Sequence, residues 1–109
     1  MRKNLNNLPN PTIGLICGSF DIIHPGYIHM FKEIRPHCDV LIVGLHTDPT
    51  IERPEKIKPV LSIDNRKSIV SSIRYVDEVI VYETEKDLVN LIKKSNIDIR
   101  FLGDDYKGK

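Results

Sequence analysis

The stretch TIGLICGSFDIIHPGYIHMFKEIR, residues 12–35, decides how this chain folds. Its first part, TIGLICG (12–18), is short, apolar and closed by a glycine, which predicts a buried strand. Its last part, PGYIHMFKEIR (25–35), predicts a helix, because a proline suits the first helical turn and the apolar residues recur at helical spacing. A strand, a polar turn and a helix in this order form the first half of a βαβ unit.

The rest of the sequence repeats this alternation of apolar strands and helices. Continuous apolar runs are typical of parallel strands that helices cover on both faces. The predicted fold is therefore α/β, a Rossmann-like parallel sheet of four strands in the order 3-2-1-4 with helices on both faces. The remaining predicted strands are DVLIVGL (39–45), EVIVY (78–82) and IDIRFLG (97–103), and the remaining helices are SIDNRKSIVSSIR (62–74) and EKDLVNLIKKS (85–95).

Length and composition indicate one small domain. With 109 residues, we expect a flexible, polar lead-in over residues 1–11 and a single domain over residues 12–109. Sixteen basic residues against fifteen acidic ones leave a net charge of +1, which gives no basic footprint for nucleic-acid binding. No apolar run approaches the length of a membrane span or a signal peptide, so we expect no membrane insertion and a cytoplasmic location.

The turn GSFDIIHPGY (18–27) has the residue types of a phosphate site, and it lies at the strand end where parallel sheets bind ligands. Amides at a helix start carry partial positive charge, Gly26 lets a ligand approach the backbone, and His24 offers a donor. The alternative is a plain strand–turn–helix in which His24 only satisfies a backbone carbonyl. No metal site is predicted, because no recognised ligand spacing joins Cys17, Cys38, His24, His29, His37 and His46.

The segment GSFDIIHPGYIHMFKEIR (18–35) resembles the first motif of the cytidylyltransferase-like nucleotidyltransferases, in which Gly-x-Phe-Asp is followed by His-x-Gly-His. It is most similar to the glycerol-3-phosphate cytidylyltransferase group. The resemblance extends over nearly the whole chain from residue 13, because further matches follow in the family's order. These are HTDP (46–49), RPEKIKPV (53–60), NRKSIVSSIRYVDEVI (65–80) and GDDYKGK (103–109).

The resemblance implies nucleotidyl transfer. A phosphate oxygen of a small phosphorylated alcohol attacks the α-phosphate of CTP, or of ATP in related enzymes, and pyrophosphate leaves. Such transfer needs positioning and charge stabilisation rather than a covalent enzyme intermediate. The resemblance also implies Mg²⁺ bound with the triphosphate, and a homodimer assembled around the long loop and residues 62–80.

The resemblance assigns roles to individual residues. His24 and Lys58 are the implied catalytic residues, the first on the triphosphate and the second reaching the phosphates from the long loop. The alternative for the loop lysines is that they are solvated surface charges, and for Arg66 that it is an exposed helix residue. The implied nucleotide-binding residues are Gly18, Ser19 and Phe20 as a backbone floor, Gly26 and Tyr27 at the helix start, Lys56, Arg66, and Asp104 and Asp105 near the base or ribose.

Two features depart from the family pattern. Tyr27 occupies the position of the motif's second histidine, and a phenol offers no positive charge near neutral pH. The sequence also stops at Lys109, before the strand and helix that carry a further phosphate motif in the family, so we expect that strand and helix to be missing. Both departures favour an alternative function, a nucleotide-binding or interaction module with impaired catalysis. A third candidate is an adenylyltransferase that uses ATP.

Overall fold

A four-stranded parallel sheet forms the centre of the computed structural model, which describes residues 10–102. The sheet has the order β3-β2-β1-β4, which confirms the predicted order. In the central pair, Ile13 lies opposite Val40 and Gly18 lies opposite Leu45. The strands are β1 (Ile13–Gly18), β2 (Val40–His46), β3 (Glu78–Tyr82) and β4 (Ile99–Phe101).

Three helices connect the strands: α1 (Pro25–Ile34), α2 (Ile63–Ser71) and α3 (Glu85–Lys94). The predicted cap Ser62 accepts a hydrogen bond from the amide of Asn65 over 3.1 Å, so the start of α2 is confirmed. Its end was predicted three residues too late, because the chain leaves the helix after Ser71 through consecutive tight turns. None of the helices within residues 10–102 is long and apolar enough to cross a membrane.

The core has two layers, one on each face of the sheet. Leu15 and Ile16 are adjacent in β1 and both have no exposed surface, so they point to opposite faces. Ile16 packs with α1 and α2, whereas Leu15 packs with α3. The predicted arrangement of helices on both faces is confirmed, and it explains why the strands read as continuous apolar runs.

Aspartates order the amino edge of the sheet. Each stands directly before a strand, and its carboxylate accepts a hydrogen bond of 2.8 Å from a backbone amide at the start of a neighbouring strand. These contacts satisfy donors that would otherwise lie unpaired at the sheet edge. The pairs are Asp39 with Thr12, Asp77 with Leu41, and Asp98 with Ile13.

Candidate active site

A cleft of about 1150 Å³ opens at the carboxyl edge of the sheet. The end of β1 lies at its base, and the first turns of α1 and α3 contribute to its two sides. The residues that the loop between β2 and α2 contributes to the lining are Pro49, Glu52, Arg53, Glu55, Lys56 and Ile57. This is the edge at which open parallel sheets bind ligands.

The turn between β1 and α1 is shaped by Phe20, which has a positive φ of 43°. This conformation is uncommon for a residue with a side chain and recurs at functional sites. It brings the Phe20 ring into the core, where its centroid lies 5.6 Å from that of Phe31. A Cβ at Gly18 would lie 3.2 Å from the Phe20 ring, so the glycine lets the ring lie close to the strand end.

His24 is the N-cap of α1. Its Nδ1 accepts a hydrogen bond of 3.1 Å from the amide of Gly26, so the hydrogen of the neutral ring is on Nε2. The imidazole is exposed and lines the cleft. A Cβ at position 26 would lie 2.8 Å from Cε1 of His24, so only a glycine leaves room for this cap. The turn therefore leaves Nε2–H as the hydrogen-bond donor that His24 can offer to a ligand.

The first amides of α1 are engaged within the turn itself, which corrects an expectation from the sequence. Pro25 has no amide hydrogen, the Gly26 amide donates to His24, and the Tyr27 amide donates to the His24 carbonyl over 2.9 Å. We expected these groups to be free for phosphate. His24 does satisfy a backbone group, as the alternative for it expected, but that group is the Gly26 amide rather than a carbonyl.

Tyr27 lies against His24 and extends the aromatic contacts of the turn. Its ring centroid lies 4.6 Å from that of His24 and 5.7 Å from that of Phe20, the latter in an edge-to-face arrangement. The residue is half-buried against the α1-side core and also lines the cleft. Its ring therefore limits the positions that the His24 imidazole can adopt.

Asp21 and Arg66 fasten the long loop to this turn. The Asp21 carboxylate accepts hydrogen bonds from the amides of Val60 and Leu61, at 2.7 and 2.8 Å, and these bonds lower the pKa of Asp21. Arg66 is only 2% exposed, so the alternative of an exposed helix residue is wrong. Its guanidinium donates to the carbonyl oxygens of Ser19, His46, Thr47 and Leu61.

The two loop lysines occupy different positions. Lys56 lines the cleft. Lys58 does not line it; its side chain is 77% exposed, and Nζ lies 3.6 Å from Oδ2 of Asp48. The hydrogen bond from the Thr50 hydroxyl is the main reason why the pKa of Asp48 is lowered, with the Thr50 amide and Lys58 acting in the same direction.

The structure brings most of the predicted site residues together. The residues that line the cleft are Gly18, Ser19, Phe20, His24, Gly26, Tyr27 and Lys56. Arg66 lies beneath the cleft, where its guanidinium contacts backbone rather than open space, and Lys58 lies outside it. Asp104 and Asp105 lie outside the described residues. Contacts of all these residues with a nucleotide stay a prediction.

The comparisons with known proteins agree with this geometry. The family model described as Cytidylyltransferase-like matches residues 15–108. The chain belongs to the cytidylyltransferase-like nucleotidyltransferase family. The sequence resemblance and the Rossmann-like fold are thereby confirmed.

Curated relatives within this family differ in length. The bifunctional protein HldE of Hyphomonas neptunium is 37% identical over 95 residues, which are 86% of this chain and 19% of that protein. The HldE of Campylobacter concisus is 37% identical over 93 residues, 84% of this chain and 20% of that protein. The FAD synthase of Pyrococcus abyssi is 35% identical over 91 residues, 84% of this chain and 62% of that protein. The chain thus spans about a fifth of the HldE proteins.

A solved structure has the same fold. The lipopolysaccharide core biosynthesis protein of Thermoplasma volcanium superposes with a TM-score of 0.72 and 30% sequence identity. The match covers 84% of this chain and 73% of that protein.

Several cleft residues were not predicted from the sequence. Asp21 belongs to the quoted motif, but its carboxylate contacts residues about forty positions away, which the sequence pattern does not show. Tyr82 and Arg100 line the cleft from β3 and β4, the strands on either side of the central pair. Tyr82 is the last residue of an apolar run, where a tyrosine is ordinary, so the sequence gives no sign of a role for it. Arg100 lies within an apolar run. An arginine inside a short apolar strand is the one signal that favours a role for Arg100.

Proposed function

We propose that this chain carries the nucleotidyltransferase activity of its family and transfers a nucleotidyl group to a small phosphorylated alcohol. The observation that supports it most is the position of His24. Its Nε2–H is left as a donor at the edge of a cleft that Gly18, Ser19 and Phe20 also line. A donor held in place before the substrate arrives stabilises charge that develops during reaction.

The proposed reaction is an in-line displacement at the α-phosphorus. An oxygen of the acceptor phosphate forms a bond to this phosphorus, the bond to the bridging oxygen breaks, and pyrophosphate leaves with the electron pair. The Nε2–H of His24 donates to a phosphate oxygen on which negative charge increases. Lys56 adds positive charge from the loop, and Arg66 keeps the loop and the β1–α1 turn in register. Lys58 contacts the triphosphate as well once its ammonium group leaves the Asp48 carboxylate.

CTP is the donor that we propose, in keeping with the description of the family. ATP is a second candidate because one relative is an FAD synthase, and FAD contains an adenylate joined through a pyrophosphate bridge. The reaction chemistry is the same for both nucleotides. The cytoplasm, where both nucleotides are present, is the proposed location, and a homodimer is the proposed assembly.

Mg²⁺ enters this proposal as part of the nucleotide substrate. Within residues 10–102, no group of three or more His, Cys, Asp or Glu side chains is arranged to hold a metal ion. At nucleotide sites Mg²⁺ is usually held by phosphate oxygens and water with only one or two carboxylates. It neutralises part of the triphosphate charge when bound.

The test is a measurement of pyrophosphate release by the purified protein. CTP and ATP are each supplied with sn-glycerol 3-phosphate, D-ribose 5-phosphate or FMN, and His24→Asn serves as the matched control. Release that depends on one nucleotide and one acceptor, and that falls in the control, supports the proposal. Binding of a nucleotide without release from any combination favours the alternative of a module with impaired catalysis.

A further inference from the structure

The loop between β2 and α2 is attached to the protein on both sides of the cleft. Its last residues donate two backbone amides to Asp21 in the β1–α1 turn. Earlier in the loop, Glu52 contacts the start of α3, the helix that packs on the opposite face of the sheet from α1. Residues 53–59 therefore cross the cleft between two attachments, and Lys56 in this crossing segment lines the cleft.

The attachment to α3 is made mainly by the carboxylate of Glu52. Its Oε1 accepts a hydrogen bond of 3.0 Å from the amide of Glu85, the first residue of α3. Amides in the first turn of a helix carry partial positive charge and have no partner within the helix, so a carboxylate suits this position. Arg53 adds an ion pair of 3.5 Å with the Glu85 carboxylate, but both side chains are mostly exposed, so this pair contributes little.

Helix α3 does not need Glu52 in order to begin. Its own capping box satisfies the start, because Thr84 accepts a hydrogen bond of 3.1 Å from the Asp87 amide and Asp87 accepts one of 3.2 Å from the Thr84 amide. The Glu85 amide is a donor that this box does not use. Glu52, 33 residues away from Glu85 in the sequence, thus ties the loop to the side of the cleft rather than capping its own helix.

A turn connects this attachment to Lys56. The Lys56 amide donates to the carbonyl of Arg53 over 2.9 Å, so Lys56 and the residue next to Glu52 belong to one turn. Holding Glu52 against α3 therefore holds the backbone from which the Lys56 side chain extends. A segment without this attachment has more conformations, and it loses more conformational entropy when its lysine binds an anion.

The charge of Glu52 has the wrong sign for direct contact with a triphosphate. The residue lines the cleft, where a carboxylate repels a bound polyanion. Repulsion alone predicts that removal of the Glu52 side chain tightens triphosphate binding. A role in holding the loop predicts weaker binding instead, so the two effects differ in sign and a measurement separates them.

We propose that Glu52 is a positioning residue for nucleotide binding: its hydrogen bond to the Glu85 amide holds the loop across the cleft, so that Lys56 meets the triphosphate. This inference rests on the proposed function, in which Lys56 adds positive charge to the site. Glu52 itself does not touch the nucleotide. It increases the fraction of molecules whose loop already has the binding conformation, and the apparent Kd falls as that fraction rises.

The test is isothermal titration with CTP, ATP and inorganic tripolyphosphate, each with Mg²⁺. We expect Glu52→Ala to weaken triphosphate binding about two- to tenfold, the equivalent of one hydrogen bond. Glu52→Gln removes the charge but keeps an oxygen that accepts from the Glu85 amide, so it binds at least as tightly as the wild type. Glu55→Ala is the matched control, because it removes an equal charge from the same loop and the same cleft, and it also binds at least as tightly.

A double-mutant cycle with Lys56 separates positioning from a general effect on the loop. If Glu52 acts through Lys56, Glu52→Ala weakens binding in the wild type but not in the Lys56→Met background. A general effect on the loop gives the same loss in both backgrounds. Hydrogen exchange of the Glu85 amide, followed by NMR in the nucleotide-free protein, measures the contact itself. We expect faster exchange in Glu52→Ala and unchanged exchange in Glu55→Ala.

The outcomes for the nucleotides and for Glu52 are distinguishable. Binding of tripolyphosphate without binding of CTP or ATP contradicts the proposed function, and the tripolyphosphate cycle then tests Glu52. The inference is overturned if Glu52→Ala keeps the wild-type affinity, if Glu52→Gln is weakened as much as Glu52→Ala, or if the loss is the same in Lys56→Met. Unchanged exchange of the Glu85 amide in Glu52→Ala, or a wild type that binds none of the three ligands, also overturns it.

Discussion

The ring of Tyr27 lies 4.6 Å from the ring of His24, at the position where the family motif has a second histidine. His24 is therefore held from two sides, by the Gly26 amide at Nδ1 and by an aromatic neighbour. The donor Nε2–H is well positioned, but the neighbouring phenol adds no positive charge. The turn thus presents one imidazole and one phenol where the family motif has two histidines.

Replacing Tyr27 tests what the missing histidine costs. We expect Tyr27→His to raise kcat for nucleotidyl transfer at least tenfold with little change in nucleotide Kd, because one oxyanion-type donor is worth about 10²–10³ in turnover. Tyr27→Phe is the matched control, since it keeps the ring contacts with His24 and Phe20. If Tyr27→His lowers kcat instead, Tyr27 is an adapted part of the site and the weakened-donor account is wrong.

Two substitutions of His24 separate its cap from its donor. Both His24→Ala and His24→Asn remove Nε2–H, so we expect turnover to fall about 10²–10³-fold in each. Asparagine is a good N-cap and alanine is not, so the alanine variant alone loses about 1 kcal/mol of stability. Steady-state kinetics and urea unfolding measure the two effects. Equal stability of the two variants contradicts the capping role, and unchanged turnover in both contradicts the donor role.

Because Asp48 pairs with Lys58, we expect that removing the Asp48 charge increases the affinity for the triphosphate. Asp48→Asn removes the charge at Oδ2 that contacts Lys58 but keeps Oδ1, which accepts both hydrogen bonds from Thr50. If Lys58 binds the phosphates, this variant tightens triphosphate binding, whereas Lys58→Met and Lys56→Met each weaken it about tenfold or more. Isothermal titration distinguishes the roles. If Asp48→Asn and Lys58→Met each bind the triphosphate with wild-type affinity, Lys58 is a solvated loop charge.

Asp21 gives the loop attachment a pH dependence. Because two backbone amides lower its folded-state pKa below the unfolded value of about 3.9, its contribution to stability is present above that value and is lost as pH falls through the folded pKa. We expect wild type to lose more stability than Asp21→Asn between pH 5 and about 3. Urea unfolding at both pH values measures this, with the exposed Asp64→Asn as control. Parallel losses in wild type and Asp21→Asn contradict the attachment.

Exposed apolar residues on the loop and α2 support the proposed dimer. Val60 is 76% exposed and Ile69 is 41% exposed, and Tyr75, which follows α2, lines a groove together with residues of α1. We expect sedimentation of the wild type to show a dimer at tens of micromolar and the double variant Val60→Glu/Ile69→Glu to be monomeric. Val89→Glu, on α3, is the matched control with a similar exposure of 48%. A wild-type monomer at this concentration contradicts the proposal.

The sheet was predictable because its signals are local. Apolar runs bounded by turns predict strands, and right-handed crossovers leave few possible orders. Ser62 as the cap of α2 follows from the same local chemistry. The end of α2 was not predictable, since its final residues differ little in helix propensity from those that follow.

The contacts between distant segments were not predictable. Arg66 looks like a surface residue of a polar helix, and its burial depends on four carbonyls that only the folded sheet brings together. The same holds for Asp21, which meets the far end of the long loop. His24 was predicted as a site residue and lines the cleft, but the turn around it engages the Gly26 and Tyr27 amides that the helix start alone suggests are free. Local sequence patterns therefore predict which residues belong to the site, whereas the direction in which a charged side chain points depends on packing between distant segments.

The most direct test of the proposed activity follows the α-phosphate itself. The purified protein is incubated with CTP or ATP labelled at the α-phosphorus, Mg²⁺ and a panel of phosphorylated alcohols, and the products are separated. We expect label to move from the nucleotide into a new product joined through a pyrophosphate bridge, in step with pyrophosphate release, and to stay in the nucleotide with His24→Asn. Pyrophosphate release with the label recovered only as free nucleoside monophosphate, or no release from either nucleotide, would contradict the account.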